Sequence, residues 1–287
     1  QKYLSYQRWL QAFQGSQRMA FEMIKKSKIE ENYVLVDNVI KTFKTNNKKK
    51  IILSNVNFQI SKGEFTCILG PSGCGKSTLL DLLAGFTKPD EGLISVSDEV
   101  VRKPGPERGF VFQKNSLIPW QTLEQNVGYG LKLQKFNSKD IEEKVTKYLK
   151  LVGLEKYRKA YPNQLSGGMQ QRGSIIRALI TNPKIILMDE PFGAVDAQTR
   201  SLLQEMLLKI WREFETTVVF VTHDVDEAIL LADRVIIMGV NPGHIREIIP
   251  INIPRPRSLD SSFLEEFQKV KIKILNLIKE ETLKLMQ

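Results

Sequence analysis

Three observations predict an α/β fold with a mostly parallel sheet. Short apolar runs, VLVDNVI, ILSNVNFQI, FTCILG, KIILMDE, TVVFVTH and RVIIMG, are each bounded by turn residues, which is how strands buried on both faces read. Longer segments of helical periodicity lie between them: Lys76 to Phe86, Ser138 to Val152, Gly168 to Thr181 and Ala197 to Phe214. Gly70 to Thr78, GPSGCGKST, then joins an apolar run directly to a helical one, as a strand–loop–helix unit of a parallel sheet requires. No internal repeat is visible.

Taken from the N-terminus, residues 3–28 carry Tyr6, Trp9, Leu10, Phe13, Phe21 and Ile24 at near-helical spacing, interrupted at Gly15-Ser16. They predict a helical extension over 1–31, either a partner-docking helix or one that packs on its own body. The alternating core follows over 32–250, with an inserted helical subdomain at about 116–178. Near its start, Thr122 to Gln125 forms a capping box. The prolines of IPRPR, Ile253 to Arg257, break any helix. A Ser262-x-x-Glu265 capping box restarts one, and Phe263, Phe267, Val270, Ile274 and Leu277 mark its apolar face, so a helical C-terminal tail is expected over 251–287.

Composition narrows the function. A chain of 287 residues, 42% hydrophobic and 26% charged, can bury a core without disulfides or metals. No apolar run approaches the roughly 20 residues of a membrane span. The opening residues lack a secretory pattern, and a start on Gln1 fits a trimmed N-terminus. Cys67 and Cys74 form no disulfide or metal-ligand spacing, so a reducing cytosol is the expected setting. Of the net charge of +10, residues 1–30 contribute +4 and residues 251–287 contribute +2. This excess reads as basic tails near an anionic partner or membrane, and nucleic acid is not expected as a partner.

Gly70 to Ser77 has the spacing Gly-x-x-x-x-Gly-Lys-Ser at a strand-to-helix junction. Unpaired N–H groups at the helix start attract phosphate, and the glycines let the backbone approach it. The motif assigns Lys76 to the β/γ-phosphates and Ser77 to Mg²⁺. KIILMDEP ends an apolar strand in two carboxylates, of which Asp189 is the expected Mg²⁺ partner and Glu190 the group that polarises an attacking water. Together they predict a P-loop nucleoside triphosphatase.

A second loop of serine and paired glycines, QLSGGMQQR at Gln164 to Arg172, narrows the class. Ser166 and the Gly167-Gly168 backbone at a helix start make another N–H-rich anion site. LSGGMQ resembles the signature of ATP-binding-cassette ATPases, and the likeness extends over about residues 32–245 in the family's order. Gln113 in FVFQ resembles the Q-loop glutamine, GAVD at Gly193 to Asp196 the D-loop, and His223 in VTHD the switch histidine; Val195 departs from the usual leucine. Phe43 falls where the family places an aromatic against adenine.

The resemblance implies an ATPase whose phosphate loop, Gly70, Pro71, Ser72, Gly73, Cys74, Gly75, Lys76, Ser77 and Thr78, wraps ATP together with Gln113. Ser77, Gln113 and Asp189 would hold Mg²⁺, while Glu190, His223 and Lys76 carry the chemistry. It further implies a head-to-tail pair of ATPase chains, identical or closely paralogous. Ser166, Gly167, Gly168, Gln170 and Asp196 of each would meet the ATP bound to the other.

PGPERG at Pro104 to Gly109, the LIPW stretch with Trp120, and PGHIREIIPINIPRPR make the chain similar to the ATPases of the nitrate, sulfonate and taurine importer group. That likeness implies a membrane permease as partner, indirectly an extracytoplasmic solute-binding protein, and a cytoplasmic location on the inner face of the membrane. Trp120 is open to two readings, an anchor for a partner helix or a core residue. The alternatives are a cassette of another transporter subgroup and a soluble cassette ATPase acting on nucleic acid or ribosomes.

Overall fold

The computed structural model describes residues 33–45, 48–113, 116–193, 195–257 and 259–285. The N-terminal extension expected over 1–31 lies outside the described residues.

Two sheets sandwich a helix. The first contains β1 (Val34–Thr45), β2 (Lys48–Ile60), β4 (Glu91–Val96) and β5 (Glu99–Val100), in the order β2-β1-β4-β5 and entirely antiparallel. The second has the order β10-β9-β3-β8-β7-β6, with β3 (Phe65–Leu69), β6 (Arg108–Val111), β7 (Ile185–Asp189), β8 (Thr217–Val221), β9 (Arg234–Gly239) and β10 (His244–Pro250). Its first five members in chain order are parallel, and β10 closes one edge antiparallel. The first two apolar runs therefore stand outside the parallel sheet. A link as short as the one between β1 and β2 permits only a hairpin, because a parallel pair needs a crossover of about a dozen residues or more.

The parallel strands bury both faces, and alternate residues feed two cores. Ile185, Leu187, Val219, Val221 and Ile236 face the antiparallel sheet and α1 (Lys76–Ala84). Ile186, Met188, Val218, Phe220 and Val235 face the remaining helices. These are α2 (Leu123–Leu133), α3 (Ser138–Leu151), α4 (Gly167–Leu179), α5 (Ala197–Phe214), α6 (Val225–Leu231) and α7 (Glu265–Leu283). The capping box at Thr122 forms with both of its reciprocal bonds to Gln125 and starts α2. Buried Asn126 then spends its amide on the Ile118, Gln121 and Thr122 backbone, fixing the turn before the helix.

The C-terminal segment differs from its sequence reading in two places. Leu259 to Phe263 wind into a 3-10 turn that takes up Ser262, so the N-cap of α7 is Leu264 and the Ser262–Glu265 box does not start the helix. Phe263 is accordingly 84% exposed, ahead of the apolar face, whereas Phe267 and Ile274 are fully buried. The helix is docked, not trailing: Glu281, wholly buried, accepts from the Val240 N–H at 3.1 Å.

The IPRPR stretch does more than break a helix. Arg257 is buried and donates to the carbonyls of Ile253, Ile229, Ala232 and Ile251, while Arg255 donates to Leu231 and pairs with Asp233. Both arginines thus satisfy the open carbonyls ending α6, where positive charge also suits the helix dipole. Desolvation, aided by Arg255, pushes the Arg257 guanidinium down to about 10, still charged at neutral pH. Arg257→Ala leaves four buried carbonyls without this donor and should lower the unfolding free energy by about 3 kcal/mol. Urea melts at neutral pH measure it, and a loss below about 1 kcal/mol would contradict the clamp.

Candidate active site at the strand ends

Strand order dictates which side chains meet. β7 lies between β6 and β8, and β3 lies beyond β8, all running the same way. Residues just past their C-terminal ends therefore form a row in the usual place for ligands of parallel sheets: Gln113 after β6, Asp189 and Glu190 at β7, His223 after β8, and the Gly70–Thr78 loop after β3.

In that loop Gly75 takes φ 97°, and a Cβ there would stand 2.6 Å from Leu53 Cδ2, so both conformation and space require glycine. Lys76 opens α1, and its buried Nζ donates to the Gly70 carbonyl at 2.8 Å and the Pro71 carbonyl at 3.1 Å. Among the described residues it has no carboxylate partner within ion-pair distance. A buried ammonium at a helix start, held by two carbonyls and, at 4.0 Å, the Cys74 sulfur, is suited to an anion. Cys74 is buried, and burial pushes its thiol up despite Lys76 beside it, so it is not a ready nucleophile.

The two carboxylates at the end of β7 diverge. Asp189 accepts from Ser77 Oγ at 3.3 Å. Burial raises its carboxyl above the usual range, the Ser77 bond and Lys76 pull it down, and neighbouring Glu190 pushes it up again. A cation beside it would favour its ionised form.

Glu190 has φ 40°, a left-handed conformation rare for a residue with a Cβ, which costs roughly 1–2 kcal/mol. Its N–H is held by the Val221 carbonyl at 2.9 Å. The turn sends its carboxylate away from Asp189 to a site between two donors. Gln113 Nε2 donates to Glu190 Oε2 at 3.2 Å, and His223 Nδ1 donates to the same oxygen at 3.0 Å. Both bonds fall on one oxygen, leaving the other as an acceptor for a water. With Nδ1 committed, Nε2 is the outward-facing atom of a largely exposed His223 ring. Gln113 Oε1 is likewise the amide atom left to accept a cation. Ser77, Asp189 and Gln113 offer hydroxyl, carboxylate and amide oxygens, the hard donors that suit Mg²⁺.

The second loop forms its own constellation. Ser166 caps α4, accepting from the Met169 N–H at 3.3 Å, and Gln170 Nε2 braces the loop by donating to the Pro162 and Leu165 carbonyls. A Cβ at Gly168 would stand 2.4 Å from Thr199 Cγ2, so this loop abuts the start of α5. Asp196 caps α5 and accepts from the Thr199 hydroxyl and N–H; these bonds hold its carboxyl below the ordinary range. None of these bonds reaches the phosphate-loop row. Phe43 stands on β1, 43% exposed, with Lys41 Nζ 5.3 Å from its ring centre.

The sequence reading passed over the residues bracing His223: Thr222, Asp224 and Glu227, with Arg200 and Gln204 opposite them on α5. A signal was present, since Asp224-x-x-Glu227 is spaced as an N-cap and its third helical residue, and Asp224 does cap α6.

Comparison with known proteins bears on this arrangement. A family model described as "ABC transporter" matches residues 53–193. The uncharacterized ABC transporter ATP-binding protein MJ0412 of Methanocaldococcus jannaschii is 48% identical over 249 residues, 87% of this chain and 92% of its own. The aliphatic sulfonates import ATP-binding protein SsuB of Bacillus cereus is 46% identical over 242 residues, 84% of this chain and 94% of its own. Among solved structures, the dimeric structure of MJ0796, a bacterial ABC transporter cassette, superposes with a TM-score of 0.69 at 35% identity, over 77% of this chain and all of that one. Its dimeric post-hydrolysis state bound to ADP and Pi gives 0.68 at the same identity and coverage. The chain belongs to the ATP-binding proteins of the ABC transporter family and is an ATPase of the kind that powers transport.

Proposed function

We propose that this chain is the ATP-hydrolysing subunit of an importer for a small anion such as nitrate, a sulfonate or taurine. The cassette spans 32–250, with a helical subdomain at about 116–178 and extensions at 1–31 and 251–287. The observation that carries the catalytic reading is the Glu190 carboxylate, gripped on one oxygen by Gln113 and His223 beside the phosphate loop. The importer reading draws on the likeness to aliphatic sulfonate import proteins.

Glu190 accepts a proton from water through its open oxygen, and His223 orients that carboxylate while its Nε2 faces the terminal phosphate. Lys76 and the N–H groups of Gly70 to Thr78 receive the phosphate charge, and Phe43 lies against adenine. Ser77, Asp189 and Gln113 would hold Mg²⁺, which supplies charge neutralisation at the phosphates. Ser166, Gly167, Gly168, Gln170 and Asp196 act on the ATP of a second ATPase chain, Gln170 by bracing the loop that carries the others. Similarity to a dimeric cassette supports that pairing.

No helix among the described residues is long and apolar enough to cross a membrane, so the stroke needs membrane-embedded subunits. The docking surface we propose is the region after Gln113. Trp120 is 77% exposed on the turn that Asn126 fixes, and Phe112 and Phe86, both half-exposed, stack on each other with ring centres 6.1 Å apart. This exposure favours a partner anchor over core packing for Trp120. The ATPase sits peripherally on the inner face of the membrane, and an extracytoplasmic binding protein selects the solute.

Glu190→Gln should keep ATP affinity while lowering turnover at least about 100-fold, because the amide retains shape and loses the base. Nucleotide binding and phosphate release measure the two, and near-normal release would remove Glu190 from its role. For the partner, the tagged wild-type chain should carry integral membrane subunits through detergent solubilisation and purification. Trp120→Ala should weaken that assembly by about 2 kcal/mol, close to 30-fold, with ATP turnover of the free chain intact. Unchanged assembly alongside a lowered melting temperature would assign Trp120 to packing.

A further inference from the structure

Among the described residues His223 makes one side-chain hydrogen bond, to Glu190, and its ring is largely exposed. Its position is therefore set by its neighbours. Thr222 Oγ1 donates to Glu227 Oε2 at 2.5 Å and accepts from the Asp224 N–H at 3.0 Å, tying down the chain on both sides of His223. Glu227 in turn accepts from Gln204 Nε2 at 2.9 Å, and Arg200, one turn away on α5, pairs with Asp224 at 3.5 Å. Thr222, Gln204 and Glu227 are buried. A cavity lined in part by Arg200, Gln204, Asp224, Glu227 and Phe267 flanks the joint, so on that side hydrogen bonds hold the loop.

We infer that Glu227 is a positioning residue for His223, and that with Gln204 it forms the joint through which α5, the helix opened by Asp196, sets the histidine against Glu190. The inference rests on the proposed role of His223 in turnover. Its physical content is geometric. A buried carboxylate with one donor on each oxygen bridges the two elements, beside the Arg200–Asp224 pair. A shift of α5 is thereby passed to the loop that holds the imidazole. Burial is the largest influence on the Glu227 carboxyl and pushes it above the ordinary range, against the pull of the Thr222 and Gln204 bonds.

The test separates positioning from folding. Glu227→Leu removes both bonds and leaves the buried Thr222 and Gln204 donors without an acceptor, which should lower the melting temperature modestly, and at temperatures below that transition the variant should stay folded. It should nevertheless lower kcat about tenfold or more, with KM for ATP changed by less than about twofold. Glu227→Gln is the conservative variant: Gln204 can turn its amide over and accept, so most of the rate should return. Gln204→Leu should fall between the two, and the Gln204→Leu/Glu227→Leu double variant should be no worse than Glu227→Leu alone. The chain has only two histidines, His223 and His244, so their imidazole resonances can be told apart by substitution. The His223 signal should move in Glu227→Leu while that of His244 stays. An unmoved His223 signal, a kcat within about twofold of wild type, or Glu227→Gln as impaired as Glu227→Leu would each overturn the inference. His223→Ala supplies the control. Full turnover there would overturn the role of His223 and this inference with it, whereas loss of turnover beside a normal Glu227→Leu would overturn this inference alone.

Discussion

Everything in the catalytic row depends on the parallel register of four neighbouring strands. Because β6, β7, β8 and β3 run the same way and lie side by side, Gln113, Glu190, His223 and the phosphate loop emerge at one edge without long side chains having to reach for one another. The left-handed turn at Glu190 then aims two neighbouring carboxylates at different partners. It sends Asp189 to Ser77 and Glu190 to Gln113 and His223. In the reading proposed above, the first would serve the cation and the second the attacking water. The local strain is sustained by β7 itself, four of whose five residues are buried and which is paired on both sides.

The rest of the molecule supports that edge from behind. α6 leaves directly after His223, capped by Asp224 at its start and held at its end by Arg255 and Arg257 from the C-terminal segment. The signature loop is built with similar care on another constellation, braced by Gln170 and pressed against Thr199 at the start of α5. A serine-capped helix start needs no such bracing to be stable. The bracing is what a binding surface needs if it is to meet a partner in one geometry. Hence α5 touches both constellations, with Asp196 and Thr199 at one end and Gln204 on the joint to His223.

The motifs proposed to act on phosphate stood out in the sequence because glycine, lysine, serine and paired carboxylates at fixed spacings have few other uses. The helix Ala197–Phe214 matched its sequence reading at both ends, and the boundaries of α1, α3 and α4 differed by one or two residues, since apolar periodicity and terminators agree there. Four strands were not read. β4 and β5 carry exposed polar residues, β6 is four residues long inside a motif, and β10 mixes half-exposed side chains with a terminal proline. Alternation is weak in each of them. The displaced start of α7 shows that a capping pattern competes with a 3-10 turn that sequence spacing does not reveal. Arg257 was invisible as a clamp because its partners are backbone carbonyls, two of them, Ile229 and Ala232, in a segment distant along the chain. Glu227 was hidden differently: its spacing from Asp224 was on view, but its bond to Gln204 depends on tertiary packing.

The central claim is that the phosphate loop and the signature loop are two half-sites that only a second chain can complete. Mixing Lys76→Ala chains with Ser166→Arg chains tests it most directly, since each variant alone forms dimers in which both composite sites are defective. In mixed dimers one site carries both defects, and the other pairs an intact Lys76 with an intact Ser166. Random pairing makes about half of the dimers mixed, so ATP hydrolysis absent from either variant should reappear on mixing. Verified mixed dimers that stay inactive, or full wild-type turnover by chains that sediment as monomers with ATP, would contradict the account.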